Sequence, residues 1–192
     1  MKRILVLLGC LGLMLALTAC GGEEDLSPVR VAIEVEGYGE IVVQLEPEVA
    51  PLTVENFLNL VNENFYDGLT FHRIINGFMI QGGCPEGTGR GGSEDRVVGE
   101  FSSNGIENTL SHSRGVISMA RSSDPDSARS QFFIMHQDVP GLDGDYAAFG
   151  EVVSGMEIVD ALAVGTPVED RNGTVAPVNQ PRIVTIRVID ED

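Results

Sequence analysis

Phe71-His72-Arg73-Ile74-Ile75-Asn76-Gly77-Phe78-Met79-Ile80-Gln81-Gly82-Gly83 is the stretch that decides the fold of this 192-residue chain. Two short apolar runs, residues 69–75 and 78–81, flank Asn76-Gly77, a pair that accepts the positive φ angles of a tight hairpin turn. On the N-terminal side, residues 30–36 alternate apolar and polar as a half-buried strand, Gly37-Tyr38-Gly39 turns the chain, and residues 40–45 return. Ala50-Pro51-Leu52-Thr53 then opens a helical pattern, with Val54, Phe57, Leu58 and Val61 spaced to share one apolar face until Asp67-Gly68 stops it. On the C-terminal side, residues 82–115 are Gly-rich and polar, the pattern of ordered loops around a compact body. Residues 116–120, 131–135, 148–153 and 182–189 read as further strands, and 155–163 as a second helix. About eight strands and two helices make a mainly β fold. The expectation is a closed eight-stranded antiparallel barrel capped by two helices.

Composition narrows what such a domain can do. The chain is 43% hydrophobic and 21% charged, within the ordinary globular range, and long enough for one domain with a proper core. Its 29 acids against 12 bases give a net charge of −17. Lys2 is the only lysine, and once Lys2 and Arg3 leave with a leader, ten arginines face 29 acids. The basic footprint of a nucleic-acid binder is absent. So is a polybasic patch for anionic lipid.

The N-terminus carries its own signal. Lys2-Arg3 precedes Ile4 through Ala19, 16 residues without a charge. That is short for a membrane span and suits a signal peptide. Leu17-Thr18-Ala19-Cys20 resembles a bacterial lipobox, which implies residues 1–19 as signal peptide and a diacylglyceryl group on Cys20. Two acyl chains anchor stably where one is marginal. Residues 20–28 then form a lipidated cysteine and flexible acidic tether, and residues 29–192 the folded domain. The expected location is extracytoplasmic, lipid-anchored to a bacterial membrane. Cys10 leaves with the leader and Cys20 is acylated, so Cys84 is the one free thiol, and no base accompanies it in sequence.

Several motifs point nowhere. Gly87-Thr88-Gly89-Arg90-Gly91-Gly92 satisfies a dinucleotide fingerprint, but Ser93 to Gly99, the segment after it, is too short for the crossover helix. Ser111-His112-Ser113 sets a hydroxyl beside a base without a nucleophile elbow. His72, His112 and His136 lack metal-ligand spacing. Asp124-Pro125-Asp126 and Asp143-Gly144-Asp145 lack the other ligands of a calcium loop. Asn172-Gly173-Thr174 is a glycosylation sequon with no meaning in the bacterial host that a lipobox implies.

Residues 71–83 closely resemble the active-site signature of the cyclophilins, the peptidyl-prolyl cis-trans isomerases. The likeness continues through Gly115-Val116-Ile117-Ser118-Met119-Ala120, Ser130-Gln131-Phe132-Phe133-Ile134, Leu142-Asp143-Gly144 and Phe149-Gly150. It implies catalytic roles for Arg73, Gln81 and Phe78, with Arg73 donating to the prolyl nitrogen and Gln81 to a substrate carbonyl. It further implies an apolar proline pocket of Phe78, Met79, Phe133 and Leu142. Ala120 and Arg121 hold the backbone before proline, Gln131 supports the site by hydrogen bonding, and Tyr146 stands where many eukaryotic members have His. X-Pro rotation breaks no bond, so neither cofactor nor metal is expected. The expected partners are proline-containing peptides and unfolded exported proteins, with the membrane reached through Cys20. The expected state is a monomer, because a closed barrel leaves no edge to pair.

The sequence also departs from the family. Gly141 replaces a Trp whose ring and N–H serve in cyclosporin binding, which implies weak sensitivity to that inhibitor. Arg121 replaces a small polar residue and, with Arg90, biases the groove toward acidic peptides. Two other readings remain open at this point: a non-catalytic proline-peptide-binding scaffold on the membrane surface, and a transporter's solute-binding lipoprotein, though the latter are usually larger and two-lobed.

Overall fold

The computed structural model describes residues 26–189, so the leader, Cys20 and most of the tether lie outside the described residues. Eight strands are present: β1 (Val29–Val35), β2 (Gly39–Leu45), β3 (Phe71–Ile75), β4 (Met79–Gly82), β5 (Val116–Met119), β6 (Phe132–Met135), β7 (Ala148–Ser154) and β8 (Ile183–Ile189). Two helices, α1 (Pro51–Asn62) and α2 (Met156–Gly165), complete it. The strands form one antiparallel sheet in the order β3-β4-β6-β5-β7-β2-β1-β8.

The sheet curls into a half-barrel and does not close. β3 and β8 are its edges, and they meet only through a bridge at Thr70 and Arg182 and the hydrogen bonds beside it. The reason lies in a segment that looks like plain loop in sequence. Residues 172–175 lie along the outer edge of β3, where Ile74 N–H donates to the Gly173 carbonyl at 2.8 Å and Val175 N–H to the His72 carbonyl at 3.0 Å. With its edge groups occupied, β3 has no ladder left to offer β8. A monomer therefore no longer follows from barrel closure.

Strand alternation divides the apolar residues between two clusters. Ile80, Ile117, Phe132, Ile134 and Phe149 face the main core, where Phe57 of α1 packs among Tyr66, Phe132 and Phe149 at ring separations of 5.1–5.7 Å. On the opposite face Met79, Val116, Phe133, Met135 and Ala148 form a smaller cluster with Phe78, Leu142 and Tyr146 against it. β6 is buried on both faces for this reason, and reads as an unbroken apolar run.

Helix α1 buries Thr53, Val54, Phe57, Leu60 and Val61, while Leu58 is only partly covered. The buried arc centres on Phe57, and at 3.6 residues per turn Leu58 falls about 100° away from it. The buried face is therefore turned slightly from the expected one. No side chain of its own caps α1; instead buried Glu100 accepts from Leu52 N–H at 3.0 Å and Thr53 N–H at 2.8 Å. A carboxylate at a helix N-terminus satisfies orphan donors and opposes the helix dipole.

Candidate functional site

Arg73 reaches the groove because β3 is bulged. Phe71 and Ile74 both belong to the main core although three positions apart, and the register against β4 shifts between Phe71 and Arg73. The extra residue turns Arg73 to the opposite face while Phe71 and Ile74 stay in the core, the kind of re-aiming that bulges beside functional sites perform.

Three side chains then form a chain of hydrogen bonds. Arg73 Nη1 donates to Gln81 Oε1 at 3.0 Å, Gln81 Nε2 donates to Gln131 Oε1 at 2.9 Å, and Gln131 Nε2 donates to the Gly89 and Gly91 carbonyls at 3.0 and 2.7 Å. Arginine has donors only, so its neighbour must turn an oxygen toward it, and that choice fixes both amide orientations in succession. One Gln81 N–H is spent on Gln131, leaving one for a ligand. Arg73 Nε donates to the Asn172 carbonyl at 2.8 Å, and the Phe78 ring lies 5.9 Å from its guanidinium carbon. Burial pulls the Arg73 pKa down, and the Tyr146 and Asp170 oxygens oppose that pull. The guanidinium remains charged, as arginines do in proteins.

The groove encloses about 770 Å³. Of the ten groove residues expected from sequence, Arg73, Gln81, Phe78, Met79, Ala120, Arg121, Phe133, Leu142 and Tyr146 line it. Gln131 does not; it stands behind Gln81 and lines an adjoining hollow. Tyr146 meets Phe133 edge-on at 5.8 Å, and the Arg121 guanidinium lies 4.8 Å over the Tyr146 ring. Cys20, the expected lipidation site, is outside the described residues.

Several contributors escape a sequence reading. Asp170 accepts from Asn172 N–H, Thr174 N–H and the Thr174 hydroxyl at 2.9–3.1 Å, and these bonds hold its pKa below the usual carboxylate range. The turn it stabilises presents the Asn172 carbonyl to Arg73, so the Asn172-Gly173-Thr174 segment is a support of the site. Behind Phe133, His112 stacks at 6.0 Å and bonds through Nδ1 to Asp143 at 2.9 Å and through Nε2 to Ser118 at 3.0 Å. The order Ser-His-Asp mimics a hydrolytic triad, but Ser118 is fully buried, so the chain braces the pocket wall rather than meeting a substrate. The signal available in sequence, Asp-x-Asn-Gly, gives the turn at 170–173 but not its address.

His72, beside Arg73, is buried. Burial, reinforced by the Arg73 charge, lowers its pKa to about 4. The ring is therefore neutral at physiological pH and adds no charge beneath the groove.

A curled eight-stranded antiparallel sheet with an arginine held over an apolar groove defines a cyclophilin-like protein. The family model described as cyclophilin type peptidyl-prolyl cis-trans isomerase/CLD matches residues 30–188. Peptidyl-prolyl cis-trans isomerase B of Bacillus subtilis is 46% identical over 131 residues, which are 68% of this chain and 88% of that protein. A peptidyl-prolyl cis-trans isomerase of Helicobacter pylori is 41% identical over 149 residues, 77% of this chain and 89% of its own length. A crystal structure of a Cryptosporidium parvum cyclophilin type isomerase superposes with a TM-score of 0.75 at 31% identity, covering 86% of this chain and 100% of the other. A second, in the presence of the dipeptide Ala-Pro, gives 0.74 at 32% identity, with 84% and 99% covered. The chain belongs to the cyclophilin-type peptidyl-prolyl cis-trans isomerase family, and its activity is prolyl isomerisation.

Proposed function

We propose that this protein accelerates X-Pro rotation in exported proteins from the outer side of a bacterial membrane, with Arg73 as the principal catalytic residue. Rotation meets a barrier of ~18–20 kcal/mol because the amide is resonance-stabilised. In the twisted amide the prolyl nitrogen becomes pyramidal and exposes a lone pair that neither planar isomer offers. A donor fixed toward that nitrogen therefore binds the transition state in preference to both ground states.

One observation carries this role. Two bonds, to Gln81 and Asn172, hold the Arg73 guanidinium, while Nη2 has no hydrogen-bond partner among the described residues. The donor is immobilised before substrate arrives, so little reorganisation is needed at the moment of rotation. Phe78, Met79, Phe133 and Leu142 take the proline ring, and the remaining Gln81 N–H takes a carbonyl of the peptide. Ala120 and Arg121 hold the backbone before proline. Proline binding is further supported by the structural relative studied with Ala-Pro.

Arg73→Lys tests the assignment, since an ammonium keeps the charge but loses the planar fork. The expected result is a kcat loss of roughly tenfold or more with KM little changed; an unaltered kcat overturns it. A non-catalytic scaffold has no use for a donor held in this way. The protein's anchor is Cys20, and Cys20→Ser is expected to move it from the membrane fraction to the soluble one; retention on the membrane contradicts the lipid anchor.

A further inference from the structure

Beside the proline groove lies a second hollow of about 420 Å³, and it is basic. Arg90, Arg96, Arg121 and Arg129 line it, with no carboxylate among its described lining residues. The whole chain has 12 bases and 29 acids, so four arginines around one cavity run against the rest of the surface. Gln81, Gly89, Arg90, Ala120 and Arg121 belong to both cavities, which makes them one continuous depression, with Glu86 and Glu169 on its proline-groove side.

The positive charge there is held in place but scarcely neutralised. Arg121 donates from Nε to the Asp145 carbonyl at 2.8 Å and from Nη1 to the Ser122 carbonyl at 2.9 Å, and lies over the Phe101 and Tyr146 rings. Arg129 Nη1 donates to the Ser93 carbonyl at 3.0 Å. Carbonyls and ring faces orient a guanidinium without cancelling its unit charge. Only Arg96 has a carboxylate, Asp124 at 3.4 Å, and that pair is more than half exposed. The Arg90 guanidinium has no hydrogen-bond or ion-pair partner among the described residues.

Strand register points the same way. Val97 and Ala128 form an antiparallel bridge, which sets Arg96 opposite Arg129. Like charges directly opposed across a strand pair weaken it. Arg96 and Arg129 each keep one bond to the fold, to Asp124 and to the Ser93 carbonyl, and an incoming anion would offset the repulsion between them.

We propose that this hollow is a specificity site for an acidic side chain on the substrate, N-terminal to the isomerised proline. The direction rests on the reading that Ala120 and Arg121 hold the backbone preceding proline. An extended peptide advances ~3.3 Å per residue, so positions two and three before proline are the ones to vary. Several guanidinium groups around a concave, partly desolvated site attract an anion more strongly than one exposed arginine does.

The test compares acetylated, amidated peptides with Glu, Gln or Lys at those positions, plus a control with Glu placed after the proline. Native protein is expected to show kcat/KM about tenfold higher for Glu than Gln, with Lys lowest, and the gain to shrink as salt rises. The control is expected to show no gain. A phosphoserine arm separates a carboxylate preference from a phosphate one, since both present the same anionic chemistry. In the Arg90→Gln/Arg96→Gln double variant the Glu-to-Gln ratio is expected to fall toward one; both side chains are exposed, and a thermal melt checks that folding is intact. Equal turnover of Glu and Gln peptides by the native protein, or an undiminished ratio in the variant, overturns the proposal. If no peptide is accelerated, the isomerase reading fails instead, and the ranking is read from dissociation constants by titration.

Discussion

Gly141 stands where the resemblance to eukaryotic cyclophilins implies a Trp. A Cβ built at Gly141 meets no atom within 4 Å, and its φ is not left-handed. A side chain can therefore leave the backbone here without a clash at its first atom, and the expected consequence is direct. The native protein should resist cyclosporin below micromolar concentrations, and Gly141→Trp should gain at least about tenfold in sensitivity, worth ~1.4 kcal/mol for a ring face and an N–H. Sub-micromolar inhibition of the native protein contradicts this. The groove residues themselves were legible in sequence because they sit in a few short motifs. Their supports were not. Asn172 is 99 positions from the Arg73 it holds, and nothing in its neighbours encodes that distance.

Among the elements, the edge of β3 controls the site. Gly173 has φ +78°, and a Cβ there would lie 2.3 Å from the Ile74 carbonyl oxygen. Gly173→Ala is thus expected to lift residues 172–175 from β3 and release Arg73 from the Asn172 carbonyl. Isomerisation should fall roughly tenfold or more, with a stability loss of about 1–3 kcal/mol. Unchanged activity contradicts the role assigned to this segment, and a stability assay separates the two effects. The same segment marks where sequence reading stopped. Strand positions were legible from alternation and the Asn76-Gly77 turn. Closure was not, because an edge covered by a loop lacks strand periodicity. Likewise the cap on α1 comes from Glu100, 47 positions from Thr53, so no capping pattern precedes the helix.

At the scale of the whole molecule, falling pH should destabilise this protein through His72 and His112. His72 goes from an ordinary 6.5 to about 4 in the folded state, and burial lowers His112 as well, against the support of Asp143. Between those values the unfolded chain binds a proton that the native one refuses, so stability drops as pH falls. At ~1.36 kcal/mol per unit, His72 alone accounts for roughly 3 kcal/mol, fully lost by about pH 4. Asp143 and Asp170, depressed by their hydrogen bonds, add a loss of the same sign further down. Neutralising an excess of acids works in the opposite direction, so the decisive comparison is His72→Leu. That variant should flatten the slope of denaturation midpoint against pH between the ordinary histidine value of 6.5 and about 4; an unchanged slope contradicts the assignment.

The most direct test of the whole is magnetisation-exchange NMR on a short Ala-Pro peptide with catalytic amounts of native protein and of Arg73→Ala. The expected result is fast cis-trans exchange with the native protein and a reduction of roughly 10–100-fold in the variant, with peptide shift perturbations retained. Full exchange with Arg73→Ala would contradict the central role of that guanidinium. Binding without exchange in the native protein would contradict isomerisation itself.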